Sequence, residues 1–409
     1  METSIKTKWN FGLYYKNDKD KQIDLDFKKL EKAITGFERK YKNKEDYLKD
    51  SKKLFLICQD YEKLSVLPEM EKVIVYFLLR RDVDSNNKFI IAKKNEYSEK
   101  INKISNKLIF FNLKLGKVDV KKQKEFLNDK LLSKYKYFLK RIFQNAKYNL
   151  SEPEEKIINL LNNPSESMWV SGFSKVLNNQ EVKFKGKNIS INEAFGLLSD
   201  LGTRDRRGLY GSINKKLMEI SDFSEAEINA IVAKKKTLDE LRGFSKPYSE
   251  TILSYENEEK VIENLVDIVS KNFKISQRFY RVKAKLLKEK KLYYADRGAK
   301  VGELKRKFSF EETVKIISSA FDKFDHKYSE IFNRYLENGQ IDVYPAKGKR
   351  GGAYCMGTTT VPNMIMLNHT NDFNSVMTLG HEMGHAIHTE LSKKQSPIYS
   401  AYTISVAET

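Results

Sequence analysis

The chain has 409 residues, 75 Lys and Arg against 55 Asp and Glu, and a net charge of +20. That length exceeds one small core, and an ordinary apolar share with many aromatics excludes a disordered chain. Two distant cysteines, Cys58 and Cys355, exclude a disulfide framework or a cysteine zinc site. The stretch Met1 to Tyr15 has no continuous apolar core, and the longest apolar run, Val73 to Leu79, is far too short to span a bilayer. The default setting is the reducing cytoplasm, with no membrane partner. A surplus this basic raises nucleic-acid binding. Here Lys far outnumbers Arg and is scattered along helices beside Glu and Asp, so no specific nucleic-acid partner is expected.

Apolar residues at three-to-four spacing predict helices over Leu25–Tyr41, Asp46–Leu64, Glu69–Arg81, Tyr97–Phe111 and Lys122–Phe143. Capping boxes are read at Ser151 with Glu154, Ser190 with Glu193, Ser224 with Glu227 and Ser309 with Glu312, and helix stops at Gly243 and Gly339. Glu181–Lys185 reads as a short strand inside the Asn, Lys and Gly-rich region Asn178–Ile191, the best boundary between an amino-terminal part and a catalytic part. Glu256–Lys290 is a long helical stretch of one or two helices. Past Gly339, Ile341–Pro345, Ala353–Met356 and Met364–Asn368 read as strands, with Ala346–Gly352 a mobile loop between the first two. Three regions result: a helical region over 1–110, a lobe over 111–190 and a catalytic domain over 191–409. The fold class is mainly α, with a small sheet next to one distinctive helix.

That helix, Asp372–Leu391, carries His381-Glu382-Met383-Gly384-His385. Histidines four apart share a helix face and converge on one ion, the zinc-hydrolase pattern. Glu382 lies about 100° around from His381 and points beside the metal, where it can hold a water. Gly380 and Gly384 each cost a helix about 1 kcal/mol, which suggests close approach of another segment. A third ligand must come from elsewhere. His388 lies about 10 Å along the axis from His381, and three imidazoles in a row cannot close a tetrahedron, so a supporting or core role fits it better. His369, before the helix, either faces the cleft or closes a strand end, and His326 reads as solvent-facing. Glu390 falls on the opposite face of the helix. Glu408, past a turn at Gln395-Ser396-Pro397, completes a two-histidine, one-glutamate set with a fourth position for water. The competing reading of Glu408 is a capping box with Ser405.

At these residues the chain resembles the oligoendopeptidase F branch of the thimet oligopeptidase family of zinc metallopeptidases. The segments that carry the resemblance are His381–His388 and Val406–Thr409 at the family's spacing. Gly348–Tyr354 and Met364–Asn368 are similar to the loop and strand before the motif, and Leu150–Glu155 to the amino-terminal lobe. The resemblance implies a two-lobed, mostly helical body around a deep narrow channel. It implies one Zn2+ per chain held by His381, His385 and Glu408, Glu382 as catalytic acid/base, and short unstructured peptides as substrates. An edge strand around Gly352, Ala353 and Tyr354 would pair with the peptide backbone. Family members usually continue well past this point, so the chain reads as a fragment or a split gene. The readings set against a peptidase are a zinc-binding but silent chain and a basic helical RNA-binding protein. A thermolysin-like enzyme is a narrower rival, which the helical amino-terminal half argues against.

Overall fold

Several helices begin where a side chain caps them. In the computed structural model, which describes residues 5–302 and 306–408, Asp20 accepts from Gln22 N–H to open Lys21–Tyr41, and Asp50 accepts from Lys53 N–H to open Ser51–Ser65. Thr409 of the Val406–Thr409 segment and Met1–Ser4 of the amino-terminal stretch lie outside the described residues. The capping box at Ser151 and Glu154 forms, and Ser190 and Ser309 each accept from the N–H three residues on. Ser224 does not cap. The helix Ser221–Arg242 starts a turn earlier, directly off the preceding helix, and Ser224 N–H bonds Ile220 C=O at 3.2 Å.

Elsewhere the predicted helices are cut finer. Tyr97–Phe111 spans two helices, Lys88–Ser105 and Ile109–Gly116. Lys122–Phe143 resolves into Val120–Asn128, a 3-10 turn over Lys130–Tyr135, and Lys136–Asn145. Asp46–Leu48 is a separate 3-10 turn. Glu256–Lys290 contains two helices, Glu259–Lys271 and Phe273–Leu286. The expected strand at Glu181 gains a partner: Glu181–Phe184 and Lys187–Ser190 form an antiparallel hairpin, turning through Lys185 and Gly186 at φ +48° and +80°.

The second sheet positions the site. Its strands, Ile341–Asp342, Tyr354–Met356 and Met364–Met366, are shorter than the sequence suggests. Met364–Met366 is central, parallel to Ile341–Asp342 and antiparallel to Tyr354–Met356, with Cys355 opposite Ile365. Past Asp342 the regular ladder ends: Val343 N–H pairs with Thr7 C=O at 3.0 Å while its C=O still accepts from His369 N–H at 2.9 Å, and Pro345 has no N–H to give.

Alternation along these strands divides two cores. Met364 and Met366, with Tyr354 and Met356 beside them, pack among Trp9, Val75, Tyr76 and Phe77 of the amino-terminal helices. Ile365 and Cys355 face the opposite way, into a core of Leu379, Met383 and Ala386 from the motif helix and Phe332 and Tyr335 from the helix His326–Asn338. The amino-terminal segment seals one edge: Trp9 Nε1 donates to Ile365 C=O at 2.9 Å, and Asn10 N–H to Gly339 C=O at 2.7 Å.

The loop Ala346–Gly352, expected to be mobile, is tied down. Lys349 is 4% exposed, and its Nζ donates to Asp342 Oδ1 at 2.5 Å and to Tyr344 C=O at 2.7 Å. Ser85 N–H donates to Gly348 C=O, and Arg350 N–H to Asp82 C=O, each at 2.8 Å. Glycine and lysine suggest freedom in sequence, but a desolvated ammonium must find oxygens and so fixes its loop.

Candidate metal centre

The motif helix runs Phe373–Ser392 and is capped by Asp372, whose Oδ1 accepts from Ser375 N–H at 2.8 Å and its hydroxyl at 2.7 Å. Val376, Leu379, Met383 and Ala386 bury one side. His381 and His385 lie on the open side, with ring centroids 4.6 Å apart and Nε2 atoms 3.1 Å apart. Gly380 permits a close neighbour, since a Cβ there would stand 3.2 Å from Ile317 Cδ1. Gly384 faces open space, so close approach explains only the first glycine.

Glu408 is delivered by a short tail. Tyr399 hydroxyl donates to Lys134 C=O at 3.0 Å, and Tyr402 hydroxyl pairs with Thr389 Oγ1 at 2.6 Å. Thr403 then takes the cap position of the helix Ile404–Ala407 without a side-chain bond, and Ser405 lies inside the helix, so the Ser405 capping box does not form. Glu408 Oε1 stands 3.7 Å from His385 Nε2, and Oε2 stands 3.8 Å from His381 Nε2. One ligand atom from each of the three residues lies within 4.8 Å of the others.

The donor set suits a divalent cation. Two acceptor nitrogens 3.1 Å apart repel unless a proton or a cation lies between them. Ligands about 2.05 Å from a tetrahedral zinc stand about 3.3 Å from each other, close to these separations. Burial, and then the neighbouring His381, push the His385 pKa down. Its ring is therefore neutral near pH 7, the form that coordinates.

Glu382 points into the body, not toward solvent. It is 7% exposed and lies against Cys355 of the outer strand. Burial pushes its carboxyl above the usual range, against the opposing pull of His381 and the Cys355 N–H. A carboxyl raised in this way is suited to passing a proton near neutral pH.

Other singled-out residues fall outside this cluster. The His388 ring stacks on Tyr402, centroids 3.9 Å apart, on the tail that ends in Glu408. His369 is 3% exposed and closes a strand end, with Nε2 3.1 Å from Thr313 Oγ1 and Nδ1 accepting from Asn371 N–H. His326 is exposed and pairs with Asp322. Glu390 bonds Arg334, Tyr335 and Asn363. Gly352 and Ala353 lead into the outer strand, Gly352 C=O accepting from Asn368 Nδ2 at 2.7 Å, while Tyr354 hydroxyl turns to Asp82 at 2.9 Å. Cys355, Tyr402 and Asp82 carried no signal in sequence: Asp82 meets Tyr354 from 272 residues away, and Cys355 and Tyr402 approach the motif helix from a strand and a loop that no motif spacing ties to it.

The profile described as Peptidase family M3 matches residues 203–409, half of the chain, and that described as Oligopeptidase F matches 114–184. The chain belongs to peptidase family M3. Among M3 relatives, it is 27% identical over 426 residues to an oligoendopeptidase F homolog of Borreliella burgdorferi, which covers 100% of this chain and 68% of the relative. It is 24% identical over 404 residues to oligopeptidase PepF of Bacillus subtilis, covering 95% of this chain and 59% of the relative. This chain thus spans about three fifths to two thirds of their length. The M3 fold recurs in solved structures. PZ peptidase A with inhibitor 2 superposes with a TM-score of 0.73 at 16% identity over 98% of this chain and 68% of that one. Oligoendopeptidase-F from Enterococcus faecium gives 0.60 at 16% identity over 93% and 65%. Among the described residues no helix is long and apolar enough to cross a membrane.

Proposed function

We propose that this chain is a zinc-dependent endopeptidase that hydrolyses short unstructured oligopeptides. The observation that carries the reading is the convergence of His381, His385 and Glu408 beside the buried carboxyl of Glu382. His381, His385 and Glu408 would hold one Zn2+, which when bound supplies Lewis acidity toward a water and a peptide carbonyl. Glu382 takes the proton of the attacking water and passes it to the leaving amine. The outer strand beginning at Gly352, Ala353 and Tyr354 receives an extended peptide as an added strand. Such pairing favours unfolded peptides, since a folded protein has no free backbone to offer. His388 steadies the Glu408 tail through Tyr402. The two unpaired cysteines fit work in the reducing cytoplasm.

Metal analysis with an internally quenched peptide tests the assignment. Glu382→Gln should retain one zinc and lose about 10^2–10^4-fold in turnover, while His385→Ala should lose the zinc. A chelator should stop cleavage and added zinc restore it. Normal turnover by the Glu382 variant would reject the mechanism, and undiminished zinc in the His385 variant would reject the ligand set. Zinc bound without turnover by the unaltered chain would identify a binding-only protein.

A further inference from the structure

The helix Glu69–Val83 lies ahead of both matched family segments, yet it holds the strand beside Glu382 at both ends. Asp82 is 4% exposed. Its Oδ2 accepts from Tyr354 hydroxyl at 2.9 Å and Arg350 Nη1 at 3.3 Å, and its carbonyl accepts from Arg350 N–H at 2.8 Å. Arg81 occupies the other carboxylate oxygen, at 2.9 and 2.6 Å, and the buried Lys94 adds positive charge nearby. Past the far end of the strand, Glu71 Oε2 accepts from Thr359 N–H at 3.2 Å, Thr360 N–H at 3.1 Å and Thr360 hydroxyl at 2.8 Å.

Glu71 and Asp82 are eleven residues apart, about three helical turns, so they project from one face. Val75 lies between them in the same core as Tyr354 and Met356. A three-residue strand with one neighbour is weakly held by its own ladder. Charge-assisted bonds at each end are about twice as strong as neutral ones, so they set where the strand lies.

We propose that Asp82 and Glu71 are positioning residues that fix the strand Tyr354–Met356 from both ends, holding it beside the motif helix with its outer edge ready for peptide. What the strand is held for rests on the peptidase reading; that it is held does not.

The test uses the zinc-loaded full chain carrying Glu382→Gln, so that peptide binds without being cut. Amide exchange over residues 353–360 and the anisotropy of a fluorescein-labelled extended peptide are read together with zinc content. Glu71→Ala and Tyr354→Phe each remove one grip and leave the rest of the Asp82 network in place. Each should speed exchange over 353–360 by about tenfold and weaken peptide binding by about tenfold, with one zinc retained. Unchanged exchange overturns the clamp. Faster exchange with undiminished peptide affinity overturns the positioning role. If the parent chain binds no peptide, the peptidase reading fails, and the exchange rates alone decide whether the helix holds the strand.

Discussion

Burial moves Glu382 and His369 in opposite directions. The carboxyl becomes reluctant to lose its proton, whereas the imidazole becomes reluctant to gain one. For His369, burial outweighs the opposing pull of Asp372 and Glu311. An unfolded imidazole takes up its proton near pH 6.5, and the folded ring does so only at lower pH. As pH falls below about 6.5 the unfolded state binds protons first, and stability is lost at up to about 1.4 kcal/mol per pH unit. Urea midpoints taken at about pH 7.5 and about pH 5.5 should therefore show a shallower pH slope for His369→Gln than for the parent chain. An identical slope would mean that His369 is not the group responsible. At this scale the histidine pair was fully legible, since its geometry follows from a spacing of four on a helix. Glu408 was one of two acids after the motif, and the fold brings its carboxylate to the histidine pair. The choice open for His369 was decided by Thr313, which is 56 residues away in sequence.

Elements were read well where a cap or a period marks them, and poorly where the period runs through a break. Ile104, Leu108 and Phe111 keep helical spacing across the junction at Asn106, so apolar pattern alone joins two helices that the backbone separates. Gly243 and Gly339 were correctly placed as stops, and both are left-handed, at φ +75° and +70°. Their surroundings differ. A Cβ on Gly243 meets nothing within 4 Å, whereas one on Gly339 would lie 3.1 Å from Lys8 C=O and 3.1 Å from Asn10 Cβ. Gly243→Ala should therefore cost about 1 kcal/mol from backbone strain alone. Gly339→Ala should cost a further ~1–3 kcal/mol by pushing the amino-terminal segment off the sheet edge. Denaturant titration measures both, and equal losses would contradict the contact seen at Gly339.

On the scale of the whole molecule, the sequence announced a helical protein with a small sheet, but not which helices cover that sheet. Partners such as Trp9 with Ile365, or Asp82 with Tyr354, lie hundreds of residues apart. Nor did amphipathic pattern reveal that two strongly two-faced helices keep their apolar sides open. Leu265, Val266 and Val269 on Glu259–Lys271, and Phe273, Phe279 and Val282 on Phe273–Leu286, are each about half exposed or more. So large a patch should bind an apolar dye such as anilinonaphthalene sulfonate in the native state. Leu265→Glu combined with Phe279→Glu should lower that emission by roughly half with helical circular dichroism unchanged. Emission that does not fall would place the dye elsewhere.

The sheet lodged between two cores carries a constraint of parity. Tyr354 looks toward Asp82 on one face, while the side chain of the next residue, Cys355, packs against the motif helix on the other. One inserted residue ahead of Tyr354 would exchange the two sides and break both contacts together, whereas two inserted residues would preserve the alternation. Length variation in this stretch should therefore survive in even steps.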